Sequence, residues 1–394
     1  MKIGIDACCW ANKRGFGRFT RELLDALLKL DKANEYLFFI DSNTGDVEDF
    51  PSRAKLVVAK TEYSAVNAAS ADGRRSLSDL WAMTREVYKH KVDVFFFPAV
   101  YSYFPLLNRT KTVVTIHDMI ADRHPDMVFP SRKSKFFWKL KQNLAIRQAD
   151  VIATVSENSR KEIAEYFRIP KTKLRVISEA ARPVFRTLAG TNGFASALSK
   201  YDLAPGERFL LYVGGISPHK NLKTLITAFK QMLDHRAVDQ PKLILVGDYE
   251  NDPFFSAYPD LKRQVSDLGL DGKVFFTGFV PDEDLAYLYN AATMLVFPSF
   301  EEGFGLPAIE AMACGTPVAA SCTGSLPEVL GDAGRFFDPS DSDSMSMVIK
   351  SLLADEPARR NMRDSGLARS QKFQWKRAAE ETLAIFNELA ARGR

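Results

Sequence analysis

Short apolar runs alternate along the chain with longer amphipathic stretches. In the first half, seven runs are typical of strands: KIGIDA, YLFFID, KLVVA, DVFFFP, KTVVTIHD, DVIATVS and KLRVIS. Segments of helical length lie between several of them, such as FTRELLDALLKL and SLSDLWAMTREVYKHK. Runs that are apolar throughout and separated by helices indicate parallel strands covered on both faces. The first half is therefore predicted to form an α/β layer structure.

The second half repeats the pattern with FLLYVGG, PKLILVGD, KVFFTG, TMLVFPS and TPVAAS. A chain of 394 residues is too long for one ordinary core. We therefore predict two Rossmann-like, doubly wound parallel-sheet domains facing a cleft, residues 1–187 and 188–373. A final amphipathic helix is predicted from Phe373 onward.

Composition excludes several classes of protein. No apolar run approaches the ~18 residues of a membrane span, and the start of the chain lacks the apolar core of a signal peptide. We expect a cytoplasmic protein. The four cysteines, Cys8, Cys9, Cys314 and Cys322, fit neither a disulfide framework nor a metal-ligand spacing and are expected to be small buried residues.

Charge is unevenly distributed between the two halves. Residues 1–200 carry 33 Lys and Arg against 22 Asp and Glu, whereas residues 201–394 carry 20 against 27. The first half has a formal charge of +11 and the second of −7. This asymmetry indicates that the first half meets something anionic, such as nucleic acid, a membrane surface or a phosphorylated substrate.

The string EEGFGLPAIEAMACG carries two carboxylates, Glu302 and Glu310, on either side of a Gly-Phe-Gly turn. Pro307 predicts a helix start, with Glu310 in its first turn. A carboxylate can accept both hydroxyls of a vicinal diol, and glycine lets the backbone approach a polar ligand. The string therefore predicts a site for a ribose and a sugar ring. Alternatively, Glu310 only complements the helix dipole.

Three other strand-to-helix turns carry polar groups. YVGGISPHK places Gly214, Gly215 and Lys220 after a strand, which suits a diphosphate, although such a lysine is often only solvated. TIHD places His117 at the end of an apolar strand, as a proton handler or as a structural histidine bonded to a neighbouring loop.

The third of these turns, ANKRGFGR, brings Gly15, Gly17 and Arg18 to the first strand-to-helix connection. It lacks the full dinucleotide fingerprint, so we predict a flexible loop covering a substrate phosphate rather than a nicotinamide site.

No metal site is predicted. Asp282 with Asp284, and Asp341 with Asp343, have paired-acid spacing, but each pair precedes a helix and is interpreted as a cap.

Residues 131–147, SRKSKFFWKLKQNLAIR, contain six basic residues and no acid. Helical periodicity predicts that Phe136, Phe137, Leu140 and Leu144 share the core face. Trp138 then falls nearly opposite, beside Lys135 and Lys139, which suits a tryptophan at an anionic membrane surface. The alternative is a tryptophan packed beneath a neighbouring loop.

Taken in order, these motifs resemble the retaining glycosyltransferases of the GT-B fold, particularly family 4. The resemblance runs over nearly the whole chain, through GFGR, TIHD, VSENSRKEI, YVGGISPHKNL, GFVPDEDLAYLYNAA and the paired-glutamate string ending in LPEVLGDAG. It implies a nucleotide-sugar donor on the second domain, an acceptor on the first, and a terminal helix 374–394 that packs back on the first domain.

The resemblance also implies roles for single residues. Glu310 would bind the donor ribose, Lys220 the diphosphate, and Glu302 with the amides of Gly303, Phe304, Gly305 and Leu306 the donor sugar. His117 would act near the reacting face of the sugar, and the Gly278 to Val280 turn would meet the base. Many relatives have arginine where this chain has Gly215, so Arg18 or His219 is expected to assist Lys220.

The implied activity is retaining hexosyl transfer, with no cofactor, no metal and no nucleic-acid partner. Mannose from GDP-mannose is the preferred donor, with UDP-sugars as the alternative, and the acceptor is a glycan or lipid-linked glycan for a surface polysaccharide or glycolipid. Two other activities stay open: a sugar-nucleotide epimerase and a non-catalytic sugar-nucleotide binding subunit.

Overall fold

The computed structural model describes residues 1–12, 14–44, 49–63, 76–129, 131–188, 193–234, 240–249 and 256–392. The chain forms two compact units, Met1–Glu179 together with Gln374–Arg394, and Ala180–Phe373. The junction expected after residue 187 therefore lies a few residues inside the second unit.

The first unit is built on a parallel sheet of seven strands in the order β3-β2-β1-β4-β5-β6-β7. Every strand corresponds to one of the seven apolar runs. The strands are β1 Lys2–Asp6, β2 Glu35–Asp41, β3 Lys55–Ala59, β4 Val94–Phe97, β5 Lys111–Thr115, β6 Val151–Thr154 and β7 Leu174–Val176. The strand order reverses between β1 and β4, so the loops after these strands are the place for a ligand.

Helices cover this sheet. They are α1 Gly15–Leu30, α2 Leu77–His90, α3 Ile120–Arg123, α4 Pro125–Val128, α5 Arg132–Gln148, α6 Glu157–Phe167 and α15 Trp375–Ala391. The chain's last helix, α15, packs against α1, with the Phe19 and Trp375 rings 6.0 Å apart. Phe386 of α15 also contacts Phe96 of β4, at 5.6 Å between ring centroids. Its apolar face therefore completes the core of the first unit.

The second unit has a parallel sheet of six strands in the order β10-β9-β8-β11-β12-β13. The strands are β8 Phe209–Val213, β9 Lys242–Val246, β10 Val274–Gly278, β11 Met294–Phe297, β12 Val318–Ser321 and β13 Gly334–Phe337. The apolar runs predict five of them. The sixth, β13, was missed because its sequence GRFF is short and only its two end residues are buried. The order reverses between β8 and β11.

Eight helices accompany this sheet in the described part of the unit. They are α7 Phe194–Ser199, α8 Leu222–Asp234, α9 Tyr258–Asp267, α10 Asp282–Ala291, α11 Leu306–Ala313, α12 Leu326–Leu330, α13 Ser342–Ala354 and α14 Glu356–Ser370. Within the described residues of the whole chain, no helix is both long and apolar enough to cross a membrane. Cys8, Cys9 and Cys314 are buried as expected, but Cys322 is exposed, because it lies just past the end of β12.

Candidate active site

The loops after β8 and β11 flank the position where the strand order of the second sheet reverses. They carry Lys220 and Glu302. The Lys220 Nζ lies 2.6 Å from the Glu302 Oε1, and both side chains are largely buried. Lys220 ends a short 3₁₀ turn, Pro218–Lys220, rather than beginning α8. The two residues that the sequence assigns to neighbouring parts of one ligand are thus brought into direct contact.

Asn221 fixes the turn that presents Lys220. Its backbone is left-handed, with φ at 59°. The side-chain amide is buried and donates to the carbonyls of Pro298, at 3.0 Å, and Pro339, at 2.7 Å. These bonds join the turn after β8 to the loops after β11 and β13. The sequence offered one weak signal for this role, an asparagine directly before a helix.

The glycine turn after β8 is held by Tyr212. Its hydroxyl donates to the Gly215 carbonyl at 2.7 Å. Burial, together with the nearby charge of Glu302, raises the pKa of Tyr212 well above its ordinary value. Tyr212 therefore stays protonated and able to donate. This bond holds the carbonyl of Gly215 within the turn.

The loop Ser299 to Gly305 is held by three hydroxyl side chains, from the last residue of β12 and from the segment that follows it. Ser321 donates to the carbonyl of Ser299, Thr323 to that of Phe300, and Ser325 to those of Glu302 and Phe304, at 2.6 to 3.0 Å. We call this set the hydroxyl seam. Sequence reasoning missed it, although the alternation of hydroxyls in SCTGS was visible.

Gly305 ends the loop in a conformation that suits glycine. Its φ is 98°, and an added Cβ would lie 2.7 Å from Leu326 Cδ2. Leu306 then begins α11, with Pro307 as its second residue. Phe304 is buried and contacts Phe373. The turn between the two glutamates is therefore compact and packed from both sides.

Glu310 lies deeper in α11 than predicted. The helix begins at Leu306 and has no acid in its first turn, so the expected first-turn position was wrong. Glu310 is almost fully buried, and its Oε2 accepts from the Tyr289 hydroxyl at 3.1 Å. A buried carboxylate is costly unless polar groups satisfy it. This burial argues against a residue that merely complements the helix dipole.

The base-binding turn expected at residues 278–280 follows β10. Gly278 is the last residue of that strand and Val280 is buried. Phe279 between them exposes its ring. The turn is therefore a backbone segment with one outward aromatic side chain.

In the first unit, His117 is buried after β5. Its Nε2 lies 3.0 Å from the Pro98 carbonyl, which can only accept, so this nitrogen carries a proton. The Nδ1 lies 3.6 Å from Oε1 of Glu179, another buried residue. The ring packs edge-on against Phe19 at 4.7 Å. A histidine bonded to a neighbouring loop matches the structural alternative, and Glu179 is a neighbour that no sequence motif indicated.

The glycine segment GFGR is helical rather than a flexible loop. Gly15 is the first residue of α1, so Gly15, Gly17 and Arg18 all lie in its first turns. An added Cβ at Gly17 would lie 2.0 Å from the Asn12 carbonyl oxygen. The Asn12 side chain in turn accepts from the Arg14 amide at 2.7 Å. Close packing against Asn12 therefore explains Gly17, and the expected loop was wrong.

The predicted faces of α5 are reversed. Trp138 is only 9% exposed, and its Nε1 donates to Asp122 Oδ2 at 3.2 Å. Burial raises the pKa of Asp122, which also accepts from Gln142 at 2.9 Å. The hydrogen bonds to Asp122 thus hold Trp138 and Gln142 on the inward face of the helix. The placement of Trp138 at the surface was wrong, because helical periodicity gives no sign of the hydrogen bond between Trp138 and the buried Asp122.

Three of the four paired acids bond to protein groups through their side chains. Asp341 caps α13 by accepting from the Asp343 amide, as predicted. Asp282 instead pairs with Arg182, and Asp284 with Lys200 and Tyr201, so neither caps α10 with its side chain. Among the described residues, no group of three or more His, Cys, Asp or Glu side chains could hold a metal ion.

Comparison with known proteins gives matches over both units. The family model Glycosyltransferase Family 4 matches residues 14–181, and Glycosyl transferases group 1 matches residues 196–369. O-antigen chain mannosyltransferase B of Escherichia coli is 35% identical over 281 residues, which are 71% of each chain. Serotype-specific mannosyltransferase WbdA of Escherichia coli is 32% identical over 71% of this chain and 34% of its own length.

Among solved structures, sucrose-phosphate synthase from Thermosynechococcus elongatus superposes with a TM-score of 0.75 at 22% identity, covering 100% of both chains. That likeness shows the fold, and the mannosyltransferase relative shows the family. The chain is a glycosyltransferase and belongs to glycosyltransferase family 4 of the GT-B fold.

Proposed function

We propose that the protein is a retaining mannosyltransferase that moves mannose from GDP-mannose to a growing surface glycan. The observation that carries the transfer chemistry is the Lys220–Glu302 pair at the reversal point of the second sheet, together with the buried Glu310 in the helix that follows. The choice of mannose is supported by the relative that is 35% identical and is named as an O-antigen chain mannosyltransferase.

In this proposal the second unit holds the donor. Glu310 accepts the ribose hydroxyls, and the backbone of Gly278 to Val280 meets the base. Lys220 neutralises the diphosphate, while Glu302 and the amides of residues 303–306 hold the sugar. The hydroxyl seam keeps these amides in position, because its hydrogen bonds to the carbonyls of the loop fix the path of the main chain.

The chemical step needs stabilisation of the leaving diphosphate as the glycosidic bond stretches. The Lys220 ammonium can supply it without a metal, since an oriented cation in a poorly hydrated site interacts strongly with developing charge. Glu302 keeps Lys220 in place until the diphosphate competes for the same ammonium. The acceptor hydroxyl then attacks the face that the phosphate leaves and passes its proton to an oxygen of the departing diphosphate, which retains the anomeric configuration and releases GDP.

The first unit is proposed to hold the acceptor, a glycan or a lipid-linked glycan. Its surplus of positive charge suits a phosphorylated or membrane-bound substrate. His117 remains a proposed catalytic residue, with Glu179 and Pro98 orienting its ring. The enzyme is proposed to work in the cytoplasm at the inner face of the membrane.

The donor is tested by incubating the purified protein with GDP-mannose, UDP-glucose and UDP-N-acetylglucosamine, with and without a mannose-terminated oligosaccharide. We expect GDP release that depends on the acceptor, and an α-linked product by NMR. If only a UDP-sugar were turned over, that sugar nucleotide would replace GDP-mannose as the proposed donor. Isomerised sugar nucleotide without acceptor would indicate an epimerase, and binding without any turnover would indicate a binding subunit.

A further inference from the structure

The outward face of α5 is apolar at its centre. Phe136 is 63% exposed, Phe137 54%, Leu140 46% and Leu144 42%. Positions 136, 140 and 144 follow one another at a spacing of four and lie on one side of a helix, with 137 beside them. The Phe136 and Phe137 rings contact each other, with centroids 5.7 Å apart. These four side chains form one exposed surface, here called the α5 patch.

Basic side chains accompany the α5 patch. Residues 131–147 contain no Asp or Glu, and six basic residues: Arg132, Lys133, Lys135, Lys139, Lys141 and Arg147. Lys141 donates to the Tyr101 carbonyl and lies over the Trp138 ring. Within the described part of the chain, Arg132, Lys133, Lys135 and Arg147 take part in no ion pair. Most of the positive charge beside the patch is therefore not neutralised by the protein.

The orientation of α5 is fixed from its other side. Trp138 packs between the rings of Tyr101 and Phe129, at 5.3 and 6.0 Å, and bonds to Asp122 together with Gln142. Rotating the helix to bury the patch would break these contacts and expose Trp138. The outward position of the four apolar side chains is thus a property of the folded unit.

We infer that the α5 patch docks on an anionic lipid bilayer, with Phe136, Phe137, Leu140 and Leu144 entering the interface and the cations contacting lipid phosphates. An apolar stripe flanked by Lys and Arg, without acids, is the pattern of helices that lie in such an interface. A second copy is a poorer partner, because a two-fold contact would bring the same cations together. The inference uses none of the residues proposed for sugar transfer and does not rest on the proposed donor.

The test is sedimentation of the full chain with vesicles of phosphatidylcholine alone or mixed with phosphatidylglycerol. We expect binding only to the anionic vesicles, weakened by salt. Phe136→Ser with Phe137→Ser should bind at least tenfold more weakly. Lys133→Gln with Lys135→Gln should lose roughly fivefold per cation. The matched control is Leu77→Ser with Trp81→Ser, two exposed apolar residues on α2, a helix that also carries Asp79 and Glu86. It should bind like the native protein.

A second readout uses quenching by brominated lipids. Phe136→Trp should gain a quenched tryptophan signal, whereas the native protein, with Trp138 buried, should change little. Absence of vesicle binding at low salt, or equal binding by the Phe136/Phe137 variant and the native protein, would overturn the inference. The inference would also fail if the Phe136/Phe137 variant bound vesicles normally but no longer transferred sugar to a soluble oligosaccharide. The patch would then belong to the acceptor site. Binding to an acidic protein but to no vesicle would also overturn it.

Discussion

The Lys220 ammonium and the Glu302 carboxylate, 82 residues apart in the chain, lie 2.6 Å from each other with little solvent access. The pair joins the loop after β8 to the loop after β11. Removing one partner of a poorly solvated ion pair leaves a charge that is costly to keep. The pair therefore has both a positioning role in the resting protein and a proposed role in transfer.

Lys220→Ala is expected to lower kcat by ~10²- to 10³-fold, because its charge matters most as negative charge develops on the leaving phosphate. Donor affinity should fall less. Steady-state kinetics with calorimetry of GDP binding separates the two effects. Lys223→Ala, at an exposed position in α8, is the matched control and should leave both constants unchanged. An unaltered kcat for Lys220→Ala would remove this residue from the mechanism.

Glu310→Gln should weaken GDP binding by roughly ten- to a hundredfold, since a charged acceptor of ribose hydroxyls is worth about 1.5–3 kcal/mol. Tyr289→Phe removes only the hydroxyl that Glu310 accepts from and should have a smaller effect. Calorimetry of both variants gives the comparison. If Glu310→Gln bound GDP as the native protein does, the role of Glu310 would be confined to packing.

Ser325→Ala tests the hydroxyl seam. The carbonyls of Glu302 and Phe304 lose the hydroxyl that both accept from, and only Glu302 keeps a second bond, from the Ser325 amide at 3.3 Å, so the change should cost about 1–3 kcal/mol of unfolding free energy. Donor affinity should decrease as the loop loosens. Ser351→Ala removes a serine that bonds within an exposed helix and is the control for denaturant unfolding. Equal unfolding curves for the two variants would mean that the seam contributes little.

Activity is expected to survive excess EDTA, because the proposed charge stabilisers are side chains and backbone amides. The assay is GDP release from GDP-mannose after dialysis against the chelator. Complete loss that Mn²⁺ or Mg²⁺ restores would show that the reaction needs a metal. Asp282→Asn and Asp341→Asn would then show whether either pair of acids supplies the ligands.

Thiol labelling should distinguish the cysteines. Burial, together with the charge of Glu310, raises the pKa of Cys314 to about 12, so this thiol stays protonated and inert at pH 8. Cys8 and Cys9 are inaccessible, and Cys322 is exposed. We expect one alkylated cysteine in the native protein, none in Cys322→Ser and one in Cys314→Ser. Labelling at Cys314 in the folded protein would contradict the buried position.

The sequence was sufficient for most of the fold because the strands are buried on both faces and therefore stand out as apolar runs. It failed at β13, whose middle residues are not buried. It also failed on α5, where the distribution of apolar residues points outward and a single buried acid, Asp122, determines which side faces the core. A polar contact between residues far apart in the chain produces no periodic pattern in the sequence.

The candidate site shows the same division. Motif spacing predicted Lys220, Glu302 and Glu310 as site residues, since their turns lie at the ends of strands. The residues that hold them, Asn221 and Ser325, act through backbone carbonyls far away in sequence. No pattern of residue types identifies such partners before the fold is known.

The hydroxyl seam has a consequence for engineering the donor loop. All four of its bonds end on main-chain oxygens, at residues 299, 300, 302 and 304, and none requires a particular side chain on the loop. A library randomised at the half-buried Phe300, which the seam binds only through its carbonyl, could therefore vary the surface of the loop while the loop keeps its path. The supporting serines and threonine hold the main chain of the loop, and their bonds do not depend on the side chains that the loop carries.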